Sequence, residues 1–214
     1  MPQISLLPFD IQTLSLSAER RAHRSAGIHL TSILKDMRIT AGVERTYGKP
    51  LTNDQQHLIF QNGFLWENAV AEYIQTPENQ QAEIDYWIGN FGLEEQRKKE
   101  IEETSGAIIR PGECSLDGIY MTPDGINVRL FYIHEWKATS IRAKNFSIPT
   151  RRLEWIWQVG AYCKVFGMTR GIIRVWFTGD FPQQVNQYVL DYTQQEIDDN
   201  WKNILDHYHF MRTR

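Results

Sequence analysis

Between residues 128 and 209 the chain alternates β-rich runs with helical stretches. Residues 128–136 and 171–178 carry many β-branched and aromatic residues and are predicted to be strands. Residues 151–166 between them are predicted to form a helix that ends at Gly167. A helix between two strands favours a sheet that is covered by helices. The sequence therefore predicts an α/β (α+β) fold with a central mixed β-sheet flanked by helices.

The other elements follow from apolar spacing and from turn residues. Helices are predicted from residue 17 to 37 and from residue 53 or 54 to 74, extended segments at 107–109 and 115–121, a strand at 185–192, and a last helix from the capping box Thr193–Glu196 toward His209. The turn sequence at residues 122–125 is expected to join residues 115–121 to the following strand as an antiparallel hairpin.

Composition narrows the class of protein. The formal net charge is −3, so any contact with DNA has to come from a local basic patch. The two cysteines, Cys114 and Cys163, are expected to be free buried thiols in a reducing cytosol. The N-terminus does not resemble a secretory signal, and no apolar run approaches the ~18 residues of a bilayer span. We therefore expect a soluble, cytoplasmic protein with no membrane partner.

The triplet Glu135-Trp136-Lys137 lies in the strand predicted at residues 128–136. Side chains two positions apart on a strand point to the same face, so Glu135 and Lys137 are expected to face one site while Trp136 packs on the other side. A carboxylate can bind a hard cation, and a neighbouring lysine can steer or deprotonate a water. An exposed ion pair would also explain the triplet alone, so other residues have to support it.

Asp117 precedes Glu135 by eighteen residues. In the expected hairpin, the turn at residues 122–125 brings these two carboxylates to the same end of the sheet. Neighbouring carboxylates repel each other unless a divalent cation neutralises them. A second interpretation stays open, because Asp117-Gly118 is also an ordinary turn sequence.

Two helices are expected to supply further polar side chains. Glu67 follows Gly63 by one helical turn within an apolar stretch, where a carboxylate needs a partner such as a metal, a lysine or water. Gln158 and Tyr162 are four residues apart and share a helix face. The amide of Gln158 can bind a phosphate, a water or the lysine, although a helix face half-buried against the sheet would give the same pair.

The order of these motifs resembles that of the PD-(D/E)XK nuclease superfamily. The chain has Gly-x-x-x-Glu on a helix, Asp on a strand, Glu-x-Lys on the next strand and Gln-x-x-x-Tyr on the following helix. The last motif makes it most similar to the RecB-type and lambda-exonuclease-type branch. The resemblance covers Gly63 to Tyr162, about half of the chain. Leu116 stands where the name of the motif has proline, and Pro111 lies six residues before Asp117.

The resemblance implies a restriction-endonuclease-like core and a magnesium-dependent DNA nuclease, foremost an exonuclease of phage or recombination type. Glu67, Asp117, Glu135 and the backbone carbonyl of Trp136 would bind Mg²⁺ or Mn²⁺. No iron–sulfur cluster is expected, because some relatives hold one with four cysteines and this chain has two.

The resemblance also implies roles for three further side chains. Lys137 would orient or activate the attacking water, and Gln158 and Tyr162 would support the site and the DNA phosphate. The chain is expected to be one nuclease domain over residues 1–214, with a helical N-terminal region at 1–50 and a catalytic core at 51–214.

A segment of eleven residues after the Glu-x-Lys motif contains four cations: Arg142, Lys144, Arg151 and Arg152. Arginine at a helix N-terminus is unfavourable without an anion, so these residues are predicted to contact DNA phosphates. Trp155 and Trp157 offer aromatic stacking for a frayed strand. A solvated loop and helix start is the alternative.

Other function classes stay open. A non-catalytic DNA- or protein-binding module could retain the fold, but a pure binder has no use for clustered carboxylates, and a restriction-type endonuclease would use the same residues. A small-molecule metal hydrolase lacks its usual histidine-rich ligands here. DNA is the expected partner, and a recombination partner protein and a homo-oligomer are left open.

Overall fold

The computed structural model describes residues 2–7, 27–40, 108–109, 111–127, 130–148 and 152–214, with the single helical positions Gly63, Trp66, Glu67 and Ala69. Within these residues the helices are α1 (Leu30–Thr40), α2 (Leu153–Phe166) and α3 (Gln194–Arg212). The strands are β1 (Gln3–Leu7), β2 (Ile28–His29), β3 (Ile108–Ile109), β4 (Cys114–Leu116), β5 (Ile119–Met121), β6 (Gly125–Asn127), β7 (Tyr132–Thr139), β8 (Arg170–Phe177) and β9 (Gln184–Asp191).

The strands form two mixed sheets. The larger sheet has the order β1-β9-β8-β7-β6-β3, in which β7 and β8 are parallel and the other neighbours antiparallel. The smaller sheet has the order β2-β5-β4, with β2 parallel and β4 antiparallel to β5. The predicted α/β (α+β) class with a mixed sheet is therefore confirmed, whereas a restriction-endonuclease-like core stays a prediction.

Helix α2 connects the parallel strands β7 and β8, as a parallel pair requires a crossover connection. Gly167 ends the helix in the left-handed conformation, with φ 64°. Gly171 on β8 allows the helix to approach the sheet closely, since a Cβ at this position would lie 2.3 Å from Cγ1 of Val159. This contact holds one face of α2 against β7 and β8.

The main hydrophobic core lies between the larger sheet and the three helices. Its buried members from the sheet include Ile133, Ile173, Val175 and Leu190, and those from the helices include Ile33, Val159 and Ile204. Helix α3 begins with the predicted capping box, in which Thr193 and Glu196 exchange side-chain-to-backbone hydrogen bonds. That prediction is confirmed.

The prediction that a turn at residues 122–125 joins residues 115–121 to the following strand as one hairpin is wrong. Residues 115–121 do not form one strand, because Asp117 and Gly118 adopt positive φ angles of 52° and 80° and turn β4 into β5. Gly125 begins β6 rather than closing a turn, and β6 pairs with β7. The chain therefore reverses between β4 and β5 and again between β6 and β7.

The N-terminal region is not only helical. Residues 3–7 form β1, which pairs with β9 at the edge of the larger sheet, and residues 28–29 form β2 inside the segment predicted as a helix. Residues 8–26 and most of 53–74 lie outside the described residues. Among the helices of the described ranges, none has the length and apolar character of a membrane span.

Candidate active site

Glu135 and Lys137 lie on β7, in the interior of the larger sheet. They share a strand face with Ile133, which packs in the helix-covered core. The Lys137 ammonium donates a hydrogen bond to Oε1 of Glu135. The Glu135 side chain is 1% exposed and that of Lys137 21% exposed, so the acid is buried and the amine reaches the surface of the site.

Asp124 is the second carboxylate at this position. The β6–β7 register pairs Gly125 with His134, which places Asp124 across from Glu135 where the pairing ends. Oδ2 of Asp124 accepts a 2.7 Å hydrogen bond from the backbone N–H of Trp136. Its side chain is buried, so two carboxylates from adjoining segments meet beneath the protein surface.

Glu67 is a third acid near Asp124 and Lys137, and it lies on a separate helical segment. Its side chain is buried, and its charge acts on both Asp124 and Lys137. The neighbouring Trp66 packs against Trp176 of β8, with 5.5 Å between ring centroids. Because Trp66 directly precedes Glu67, this contact holds the backbone at Glu67 close to the larger sheet.

The cluster perturbs its own protonation. Burial raises the pKa of the Asp124 carboxyl well above its usual range, and the charges of Glu135 and then Glu67 raise it further. Burial disfavours the charged form of Lys137, but the Coulomb attraction of these carboxylates outweighs it and raises the pKa of Lys137. Lys137 is therefore an ammonium at neutral pH.

Gln158 and Tyr162 lie on α2 and are both buried. Nε2 of Gln158 donates a 2.7 Å hydrogen bond to Oη of Tyr162, which in turn donates to the carbonyl of Thr122 at 3.3 Å. Burial raises the pKa of Tyr162 well above its usual range, followed by the charges of Glu135 and Asp124. The tyrosine is thus a neutral phenol that links α2 to the segment preceding Asp124.

These groups surround a cavity of about 130 Å³. It is lined by His29, Leu30, Thr31, Tyr120, Met121, Thr122, Asp124, Glu135, Trp136, Lys137, Gln158 and Tyr162. Residues of β2 and of the first turn of α1 therefore share the cavity wall with the carboxylates.

Two ion pairs near this site had no signal in the sequence. Nδ1 of His29 lies 3.6 Å from Oε1 of Glu113. Glu154, one turn before Gln158 on α2, pairs with Arg38 of α1 at 2.6 Å. Both pairs join segments that are far apart in the chain, so local patterns give no reason to connect them.

The structure does not bring Asp117 to this cluster. Asp117 lies in the β4–β5 turn, at the opposite end of β5 from Thr122, and its side chain is not part of the cavity wall. Its Oδ2 accepts a 2.9 Å hydrogen bond from the indole of Trp201 on α3. The turn interpretation of Asp117-Gly118 is the one that fits, and Asp124 is the acid that lies across from Glu135. The sequence did contain a signal for Asp124, namely Pro123 before it and ten residues between it and Glu135.

The other predicted positions are distributed as follows. Arg142 and Lys144 are exposed on the segment after β7, at the 3-10 turn Ala143–Asn145. Arg152 lies directly before α2, with its guanidinium 5.6 Å from the ring centre of Trp155. Arg151 lies outside the described residues. Trp155 is buried, so its ring cannot stack on a nucleic-acid base.

The donor set suits a hard cation, although no preformed cage is present. Among the described residues, no three His, Cys, Asp or Glu side chains are arranged as a ready metal site. Asp124 and Glu135 nevertheless place two carboxylates side by side, and magnesium is commonly held by one or two carboxylates together with waters and substrate phosphates. The residues at this site therefore fit such an ion.

Comparisons with known proteins do not identify a family. No protein-family model matches the chain, and neither does any curated protein. The chain is similar to the crystal structure of SSO0001, with 11% sequence identity and a TM-score of 0.35 over 86% of this chain and 77% of that one. A likeness this distant carries no information about function.

Proposed function

We propose that this chain is a divalent-metal-dependent deoxyribonuclease that hydrolyses phosphodiester bonds, foremost as an exonuclease of phage or recombination type. The observation that carries the proposal is that three buried carboxylates act on the charge of one ammonium, and that two of them line one cavity with it. The carboxylates belong to Glu67, Asp124 and Glu135, and the ammonium to Lys137.

A purely structural role does not account for this cluster. Buried carboxylates are costly unless a cation compensates them, and a structural ion pair needs only one acid and one base. Here Lys137 contacts Glu135 directly, while burial and repulsion raise the pKa of Asp124. Grouped carboxylates, one of them with a pKa raised by burial and by its neighbours, are typical of an active site that binds a cation.

Asp124 and Glu135 are the residues that would hold Mg²⁺ or Mn²⁺. Glu67 and the backbone carbonyl of Trp136 are further candidate oxygen ligands. When bound, the cation would neutralise phosphate charge and lower the pKa of a water molecule.

The other side chains have roles that follow from their protonation. Lys137 is an ammonium, so it orients the attacking water and stabilises negative charge on the phosphate rather than removing a proton. Tyr162 is a neutral phenol and acts with Gln158 as a support. The pair holds the segment at Thr122, and therefore Asp124, against α2.

The substrate class rests on the motif order. Pro123-Asp124, ten intervening residues, Glu135-x-Lys137 and then Gln158-x-x-x-Tyr162 resemble the PD-(D/E)XK pattern more closely than the same pattern counted from Asp117. The Gln-x-x-x-Tyr motif favours the exonuclease branch. A DNA substrate is an inference from this resemblance.

The test is digestion of linear and circular duplex DNA by the purified chain, with Mg²⁺ or Mn²⁺ and then with EDTA. We expect loss of linear DNA only, and no loss in EDTA. Digestion of both forms would indicate an endonuclease. No digestion with either metal, or equal digestion by Lys137→Ala, would contradict the proposal.

A further inference from the structure

The loop between β8 and β9 carries a side chain that contributes nothing to the core. Phe181 is 101% exposed, so its ring is entirely in water. Burying a phenylalanine ring stabilises a folded protein, and here that stabilisation is not used in folding. A single exposed apolar side chain is common on protein surfaces, so the residues around it have to indicate a role.

The loop that presents Phe181 is fixed to the segment that follows β7. The backbone N–H and the hydroxyl of Thr178 both donate to the carbonyl of Thr139, at 2.9 and 3.1 Å. Oδ2 of Asp180 accepts a 2.7 Å hydrogen bond from the backbone N–H of Ala143. These bonds join the two loops into one surface.

A close backbone approach adds to this connection. A Cβ at Gly179 would lie 2.1 Å from the carbonyl oxygen of Ser140, so only glycine allows the loops to come this near. The Trp176 indole also donates to the Gln183 side chain at 3.1 Å. The backbone of the loop that carries Phe181 is therefore fixed beside residues 139–143.

The neighbouring loop is basic. Arg142 and Lys144 are exposed there, and across residues 139–148 and 178–184 the only acidic residue is Asp180. The carboxylate of Asp180 bonds the loop backbone, which turns part of its charge inward. An exposed aromatic ring beside two cations matches an unpaired nucleic-acid strand, whose bases stack on aromatic rings and whose phosphates attract cations.

The position of this surface suits a strand that enters the candidate active site. Lys137 and Thr139 lie on the same strand, two residues and thus about 7 Å apart, and Thr139 is the anchor of the β8–β9 loop. We propose that Phe181, Arg142 and Lys144 form a binding surface for a single strand, with a base stacked on Phe181 and phosphates on the two cations. This inference takes its substrate class from the proposed function, but the binding it describes does not require hydrolysis.

The test is equilibrium binding in EDTA, where no cleavage occurs. A fluorescein-labelled oligothymidylate of about 16 nucleotides is titrated with wild type, Phe181→Ala, Phe181→Trp and Phe131→Ala, and anisotropy is read. Phe131 is the matched control, because it is a 54% exposed phenylalanine next to the opposite end of β7. Melting curves check that each variant is folded.

We expect Phe181→Ala to bind the oligomer at least about fivefold more weakly, with Phe181→Trp and Phe131→Ala close to wild type. The loss should be smaller on a duplex of the same length. Arg142→Ala combined with Lys144→Ala should reduce the slope of log affinity against log salt by about 1.4, two phosphate contacts at ~0.7 each.

Several outcomes overturn the inference. They are failure of wild type to bind the oligomer, equal binding by Phe181→Ala, and equal losses for Phe181→Ala and Phe131→Ala. A change of oligomeric state in Phe181→Ala with unchanged DNA binding would assign the ring to a protein contact instead. Binding that depends on Phe181 in a chain that digests no DNA would support this surface and contradict the proposed nuclease.

Discussion

The Asp124 carboxylate accepts a 2.7 Å hydrogen bond from the backbone N–H of Trp136, on the strand that carries Glu135 and Lys137. This bond fixes Asp124, which directly precedes β6, against strand β7. Asp124 and Glu135 both line the wall of the cavity. The relationship makes Asp124, rather than Asp117, the acid on which activity is expected to depend.

Asp124→Asn is therefore expected to lower the rate of DNA hydrolysis at least ~100-fold, on the scale of removing one charge-stabilising group from an active site. Asp117→Asn is the matched control, because its amide oxygen can still accept the hydrogen bond from Trp201, and its activity should stay within about twofold of wild type. Both rates are measured on linear DNA in Mg²⁺. The opposite ranking of the two variants would return the metal site to Asp117.

The Asp124 carboxylate is expected to lower the stability of the metal-free protein and to bind the metal ion. In EDTA, Asp124→Asn should melt at a higher temperature than wild type, because it removes a buried carboxylate that Glu135 and Glu67 repel. Mn²⁺ at a hundredfold excess over its Kd should stabilise wild type by about 2.7 kcal/mol. In a chain of this size the melting temperature rises by about 2–4 °C for each kcal/mol of added stability. Scanning fluorimetry with and without Mn²⁺ measures both effects. An equal Mn²⁺ shift in wild type and Asp124→Asn would rule out this residue as a ligand.

Local rules account for the part of the site that lies on regular elements. The two-residue spacing of Glu135 and Lys137 and the four-residue spacing of Gln158 and Tyr162 are enough to place each pair on one face. Pro123 and the spacing to Glu135 were a signal for Asp124, but proline, aspartate and glycine also favour turns, so this signal alone did not decide its place. Its position depends on the register of β6 against β7, which is a long-range property.

The edge strand β1 and the turn at Asp117-Gly118 could not be predicted from the sequence for a related reason. β1 pairs with β9, from the other end of the chain, and nothing within residues 3–7 specifies that partner. The break at Asp117-Gly118 depends on two consecutive positive φ angles, which the strand-like residues on either side conceal. The sequence thus defines individual elements better than the contacts between them.

Tyr162 is expected to matter less than the metal ligands. Tyr162→Phe keeps the ring but removes the oxygen that accepts from Gln158 and donates to Thr122, which loosens the support of Asp124. We expect kcat/KM to fall about 3–10-fold, equivalent to about 0.7–1.4 kcal/mol. Steady-state digestion of a labelled duplex measures it. A loss as large as that of Asp124→Asn would mean that the phenol takes part in the chemistry.

The far face of β7 is expected to make folding sensitive to acid. His134 is fully buried, and burial together with the nearby Arg174 holds its pKa well below the usual value. Arg174 donates a hydrogen bond to the imidazole, so His134 is neutral in the folded chain. In the unfolded chain the pKa of this histidine is about 6.5.

The sign of the effect follows from where the proton binds. Below about pH 6.5 the unfolded state takes up a proton that the folded state excludes, so the free energy of unfolding falls by up to about 1.4 kcal/mol per pH unit as acidity increases. His134→Asn can accept the same hydrogen bond but cannot be protonated, and its stability should fall less steeply over this range. Urea unfolding in EDTA between about pH 5 and 7 compares the two slopes, with His209→Asn, on the exposed surface of α3, as the control. Parallel curves for wild type and His134→Asn would show that this histidine is not responsible for the acid sensitivity.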